Sequence, residues 1–258
     1  MIFALGLTSY GAASLLTKAR AISVVPLLLG LLAAAAVRPH YAGIAAIALV
    51  GAFIIKKPAS TLGSLAPLAK LAAIAGVLVV AAFLLQQTSA FLTRSGVDVQ
   101  GGLTSIAGVR DALGNVSVQT ETGGSEFQAP GLTTPSGIAL SVPTVLFRPL
   151  PFEAGEAQIM MSALESTVLL FLAAIRWRWI WTSLRSIRRR PYMAFAIAFL
   201  IGGIIVLASV ANFGILARQR TLILPLLLVL FAIPPHSPAP RGKDREHVAA
   251  REMAPVAG

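Results

Sequence analysis

Apolar residues gather into seven stretches along the chain, near 2–16, 21–37, 41–55, 71–90, 159–175, 193–212 and 221–233, and basic residues sit in short clusters between them. Runs of this length and apolarity read as helices that cross a bilayer, where every backbone group has to be satisfied within the segment. Several are shorter than the roughly 20 residues a straight crossing needs, so the first, third, fifth and last are expected to borrow flanking residues, tilt, or be shielded by neighbours. The first stretch begins at Met1 without a basic leader region or a small-residue cleavage site, and so does not read as a signal peptide. Gly, Ala and Ser in "GLLAAAAV" and "AFLIGGIIVLASVA" suit helices that pack closely against one another. The fold class expected is all-α: a polytopic membrane protein with about six to seven transmembrane helices and one long extracytoplasmic loop. Its parts are N-terminal transmembrane helices over 1–90, the loop with an interfacial helix over 91–158, C-terminal transmembrane helices over 159–233, and a disordered, Pro-rich and charged cytoplasmic tail over 234–258.

The distribution of Lys and Arg orients these segments. "RWRWIWTSLRSIRRR" holds Arg176, Arg178, Arg185, Arg188, Arg189 and Arg190 without an acid, which places it in the cytoplasm, and its tryptophans suit the headgroup layer. The 91–158 segment carries three arginines against six acids and belongs outside. Alternation then puts Lys18, Arg20, Lys56, Lys57 and Lys70 inside, and "VRPHY" and "NFGILARQRT" outside. Within 91–158, "LTSIAGVRDAL" predicts a short interfacial helix over 103–113, followed by an irregular loop from about Asn115 to Gly137, rich in turn formers and expected to be mobile. "IALSVPTVLFRPLPFEA" is interrupted by three prolines and is expected to dip into the interface rather than cross it.

Overall composition agrees with membrane insertion: 56% of residues are hydrophobic and 12% charged, with a mean hydropathy of +0.81. The formal charge of +11 is explained by the inter-helix clusters, which sets nucleic acid aside as a partner. The absence of cysteine excludes disulfides, thiolate metal sites and cysteine nucleophiles. No phosphate-binding loop, dinucleotide fingerprint, zinc-protease or serine-hydrolase motif occurs, so neither a metal nor a cofactor is expected.

Three separated loops, "VRPH", "FRPLPFE" and "ARQR", bring Arg38, Arg148, Arg218 and Arg220 to the outer face on this topology. Guanidinium is planar, permanently charged and bidentate toward phosphate, so a cluster of this kind suits a pyrophosphate at the membrane surface. The structural alternative is snorkelling to headgroups or pairing with loop acids such as Glu153 and Glu156. His40, beside Arg38, is a candidate general base or an interfacial hydrogen-bonding residue. Glu165 is the one acid within an apolar stretch, and an outer-face arginine is its expected partner.

The motifs "GGSEF...TVLFRPLPFEA", "RRRPYMAFAIAFL" and above all "NFGILARQRTLILPLLL" resemble a family of bacterial polytopic membrane proteins encoded among polysaccharide-biosynthesis genes, whose typical wording is "FRPFPWEA" and "NFGILARQR". "VRPH" after an apolar stretch is similar too. The resemblance spans most of residues 1–233 and departs at Leu150 and Phe152, where Phe and Trp are usual. Family members carry additional N-terminal spans. By analogy the resemblance implies an O-antigen-polymerase-like activity on polyprenyl-pyrophosphate-linked oligosaccharides at the extracytoplasmic face of the bacterial plasma membrane. Arg38, Arg148, Arg218 and Arg220 would hold the pyrophosphate, and His40 or Glu153 would deprotonate the acceptor hydroxyl. The partners expected are the lipid bilayer, the lipid-linked sugar and other polysaccharide-assembly proteins. The alternatives are a flippase or exporter subunit, or a non-enzymatic scaffold for glycosyltransferases.

Overall fold

A computed structural model describes residues 1–18, 21–56, 105–121, 125–132 and 134–232, with isolated positions between 71 and 94. The fourth apolar stretch, the Lys57 and Lys70 cluster and the C-terminal tail lie outside the described residues.

The fold is all-helical. Ten α-helices are described: α1 (Ile2–Lys18), α2 (Val24–Val37), α3 (Pro39–Ile55), α4 (Ile106–Thr120), α5 (Pro135–Phe147), α6 (Ala157–Ile175), α7 (Trp177–Arg185), α8 (Pro191–Leu207), α9 (Phe213–Arg220) and α10 (Leu224–Ala232). Among the described residues, only α6 is long and apolar enough to cross a membrane alone; α9 and α10 are so together, but are bent by 57° at their junction.

Small residues set the packing. α1 and α2 form an antiparallel hairpin in which Gly11 meets the backbone of Leu27 and Gly30 meets Thr8. The sums of the paired numbers are equal, at 38, as antiparallel register requires. α3 buries Ala42, Ala45, Ala46, Ala48, Leu49 and Ala52, so it is covered nearly all round, chiefly by α2 and α8. The adjacent glycines of "IGGIIV" serve two neighbours: Gly202 lies against Ile44 of α3, and Gly203 against Ile223 ahead of α10. Without side chains there, the backbones approach closely and dispersion contacts multiply.

The Tyr41 and Phe199 rings lie 6.4 Å apart, and Ile44 touches Gly202, so both pairs share an offset of 158 residues. A constant offset means that α3 and α8 run in the same direction. Alternating passage would make them antiparallel, and this corrects the assignment of "VRPH" and "NFGILARQR" to one face. The offset sets Arg38 level with about residue 196, whereas Ile223, three residues after Arg220, meets Gly203. Seven residues of helix correspond to roughly 10 Å along the axis.

One loop expectation is also corrected. α4 runs to Thr120, so part of the expected loop is helical. α5 is a continuous helix that includes Pro143 and is capped at its start by Thr134, whose hydroxyl accepts from the Gly137 amide. α6 buries Ile159, Ala163, Ser166 and Leu169 on one stripe and exposes Met161, Leu164, Val168 and Phe171 elsewhere. An exposed face so apolar fits acyl chains better than water.

Candidate functional site

The site is assembled where the chain leaves α8. Ala211 to Phe213 lie beside Ser125 to Phe127 in a single antiparallel bridge between Glu126 and Asn212. The Phe127 amide donates to the Ala211 carbonyl and the Phe213 amide to the Ser125 carbonyl, each at 3.0 Å. Asn212 then starts α9: its side-chain oxygen accepts from the Ile215 amide at 3.2 Å and from the Ser125 hydroxyl at 2.9 Å. A buried Asn at this position satisfies a helix-start donor and ties a segment 87 residues distant to it. The Ala211 amide donates to the Thr120 hydroxyl, so the end of α4 joins the same junction. The expectation of an irregular loop is thereby corrected for 115–120, which is helical, while 125–127 are tied by hydrogen bonds to the start of α9.

On this frame the Phe127 and Phe213 rings stack at 4.3 Å and 9°. The Arg148 guanidinium sits 5.1 Å from one centroid and 5.2 Å from the other, within cation–π range. Its Nε donates to Glu153 Oε1 at 2.8 Å and its Nη2 to the same oxygen, while Glu153 Oε2 accepts the Leu150 amide at 2.8 Å. Burial alone pushes the Glu153 carboxyl up, but the hydrogen bonds from Arg148 and Leu150 and the Arg148 charge outweigh it and hold the group below its ordinary 4.5. Glu153 is therefore a weaker base than a free glutamate, and Arg148 is a charge already answered. The pairing with loop acids recognised as the structural alternative is the one Arg148 adopts.

Arg220 takes a different position. It is fully buried, and its Nη1 donates to Ser166 Oγ at 2.8 Å, to the Arg148 carbonyl at 2.9 Å and to the Leu146 carbonyl at 3.2 Å. Those carbonyls are at the C-terminal end of α5, where cations and donors are favourable. Its Nη2 lies 3.7 Å from Glu165 Oε1, the partnership expected for the one acid of that apolar helix. With no exposed surface, Arg220 cannot meet an incoming ligand in this conformation. It is a structural clamp that holds α5, α6 and α9 together.

Arg218, two residues earlier on α9, is exposed and lines a cleft of about 220 Å³ together with Glu156, Gln158, Ser162, Ser125 and Asn212. The cleft lies between the first turns of α6 and α9, and it offers hydroxyl and amide groups beside one accessible guanidinium and one accessible carboxylate. Ser125, Gln158, Ser162 and Asn212 were not singled out by the sequence; "NF" ahead of an amphipathic run is a helix-start signal that marks Asn212. Arg38 and His40 stand apart. Arg38 forms the α2–α3 junction, its amide donating to the Ala34 carbonyl at 2.7 Å, and the His40 ring lies 4.8 Å from that of Tyr41. The four arginines thus resolve into a paired one, a buried one, an accessible one at the cleft, and one at a different level of the bundle.

Glu153→Gln is expected to lower the thermal midpoint in detergent at pH 7. A carboxyl held below its ordinary value stabilises the fold when ionised, and that contribution is lost as pH falls through the folded value. The gap between variant and parent should therefore shrink below about pH 4; a gap independent of pH would show that the ion pair is not its source.

No family model, curated protein or solved structure matches the chain.

Proposed function

We propose that the chain is a multi-pass protein of the bacterial plasma membrane that works in cell-envelope polysaccharide assembly, with polymerase-like handling of polyprenyl-pyrophosphate-linked oligosaccharides. One observation carries the reading: "SEF" at 125–127, "FRPLPFE" and "NFGILARQR", far apart in sequence, meet at one place and leave a polar cleft with Arg218 and Glu156 at its walls. The polytopic reading keeps the apolar helices in the bilayer. The shared direction of α3 and α8 asks for an odd number of crossings between them.

In this reading Arg218 binds the pyrophosphate of the lipid-linked donor sugar, and the carboxylate that serves the acceptor is Glu156 rather than Glu153. Glu156 takes the proton from an acceptor hydroxyl, the hydroxyl oxygen bonds to the anomeric carbon, and the bond from that carbon to the pyrophosphate oxygen breaks. The leaving pyrophosphate gains negative charge, which a fixed guanidinium stabilises. The hydroxyls and amides of Ser125, Ser162, Gln158 and Asn212 suit sugar hydroxyls.

The test is substitution at constant charge. Arg218→Lys removes the bidentate fork and should weaken binding of a polyprenyl-pyrophosphate sugar by on the order of tenfold to a hundredfold, with polymer formation in cells reduced accordingly. Glu156→Gln should leave that binding intact and stop polymer growth. Arg185→Lys, at the last residue of α7, should change neither. Equal behaviour of the two lysine variants removes the pyrophosphate site, and polymer growth in Glu156→Gln removes the assigned base. Retained partner proteins without any lipid-linked sugar turnover would favour the scaffold.

A further inference from the structure

α7 follows α6 after a single residue, Arg176, and is distinctive in both composition and exposure. Its sequence is "WRWIWTSLR", and Trp177, Trp181 and Leu184, spaced by four and three residues, stand exposed on one stripe. Arg178 and Arg185 are exposed beside them. Two arginines are stacked on tryptophan faces, Arg176 at 4.0 Å from Trp179 and Arg185 at 5.0 Å from Trp181. Arg188 and Arg189 continue the charge into the turn before α8, also exposed.

This arrangement has one comfortable environment. Nine residues of helix rise roughly 14 Å, less than half of a hydrocarbon core, so α7 does not cross a bilayer. Exposed indoles waste apolar area in water, and free guanidiniums are costly in acyl chains; at the headgroup layer the rings sit among upper chain segments and the arginines among phosphates. Position agrees, because α6 is the helix long enough to cross alone and α7 begins one residue after its end.

Charge then selects the headgroup. No acid occurs between Glu165 and Asp244, and the ion pairs among the described residues, Arg148 with Glu153 and Arg220 with Glu165, include none of Arg178, Arg185, Arg188 and Arg189. Among the described residues, Arg178, Arg185, Arg188 and Arg189 therefore present positive charge that no carboxylate answers. We infer that α7 and the following turn form a docking surface for anionic phospholipid headgroups, which supply the missing negative charge from the bilayer in which α6 is seated. A basic cluster next to a membrane helix gains several-fold in anionic-lipid binding for each arginine at the surface.

The chain offers a direct test, because its three tryptophans, Trp177, Trp179 and Trp181, all belong to α7, so intrinsic fluorescence reports this helix alone. The full chain is reconstituted in phosphatidylcholine vesicles containing equal small fractions of either brominated phosphatidylglycerol or brominated phosphatidylcholine. The anionic quencher should be favoured by about threefold at low salt, with the preference falling toward one as salt screens the charges. Shallow bromines should quench better than deep ones. The variant Arg178→Gln, Arg185→Gln, Arg188→Gln and Arg189→Gln, all at exposed positions, should keep the shallow quenching and lose the headgroup preference. Equal quenching by the two headgroups in the parent chain overturns the anionic site. Strong quenching by aqueous iodide with little from either lipid overturns the membrane placement as a whole.

Discussion

Arg220→Ala should lower the thermal midpoint of the detergent-solubilised protein by on the order of 10 °C, corresponding to about 3–5 kcal/mol. The Leu146 and Arg148 carbonyls and the Ser166 hydroxyl each lose their donor, and Glu165 loses its counter-charge in an apolar helix. Buried groups left without partners cost about 1–3 kcal/mol each. All three hydrogen bonds come from the same nitrogen, Nη1, while Nε and Nη2 are buried without a hydrogen-bond partner. A single ammonium placed where Nη1 lies can replace much of what is lost, so Arg220→Lys should retain more than half of the stability. That order reverses the expectation at Arg218, where lysine is damaging to binding and nearly neutral to the fold. A drop below about 2 °C for Arg220→Ala would remove the clamp from the account of the site.

The second large effect is expected at the α1–α2 hairpin. A Cβ added to Gly11 would sit 2.5 Å from the Leu27 amide nitrogen and 2.7 Å from its Cα, and one added to Gly30 would sit 2.5 Å from the Thr8 amide nitrogen. These are backbone atoms, which cannot turn aside as a side chain can, so the helices must separate. Overpacking of this kind costs about 1–3 kcal/mol, against a gain of up to about 1 kcal/mol from replacing glycine in a helix. Gly6 and Gly51 have nothing within 4 Å of the same position, so alanine there shows only the gain. Gly11→Ala and Gly30→Ala should melt earlier than the parent, and Gly6→Ala and Gly51→Ala at or above it. If all four shift together, helix propensity rather than close approach governs the hairpin.

Helix content was legible because long apolar runs have few other folded forms, whereas the helix starts at Thr134–Pro135 and Asn212 read as parts of loops, since their caps are single side chains that only the folded neighbours single out. The partnership of Glu165 with an arginine was legible for a similar reason: a carboxylate in an apolar helix requires one. The division of labour among the arginines was not. Arg218 and Arg220 are two residues apart, about 200° around a helix, so one faces the cleft and the other the interior. Which of the two is buried depends on α5 and α6, brought in from 54 to 74 residues away. The placement of Arg38 failed on a separate point. Counting alternate faces assumes that each apolar run passes straight through, and the α3–α8 contacts show that one reversal is missing or added.

The side-by-side course of α3 and α8 also bears on how the protein is made. Tyr41 and Ile44 find Phe199 and Gly202 only after 158 further residues have been synthesised, which at typical ribosomal speeds takes roughly 8 to 30 seconds. During that interval α3, rich in alanine and destined to be enclosed, has α1 and α2 for company but lacks the neighbour that completes its cover. On the multi-pass reading proposed above, the nascent N-terminal helices wait in the insertion machinery or among lipids, and a chain that ends before α8 leaves them with an open flank.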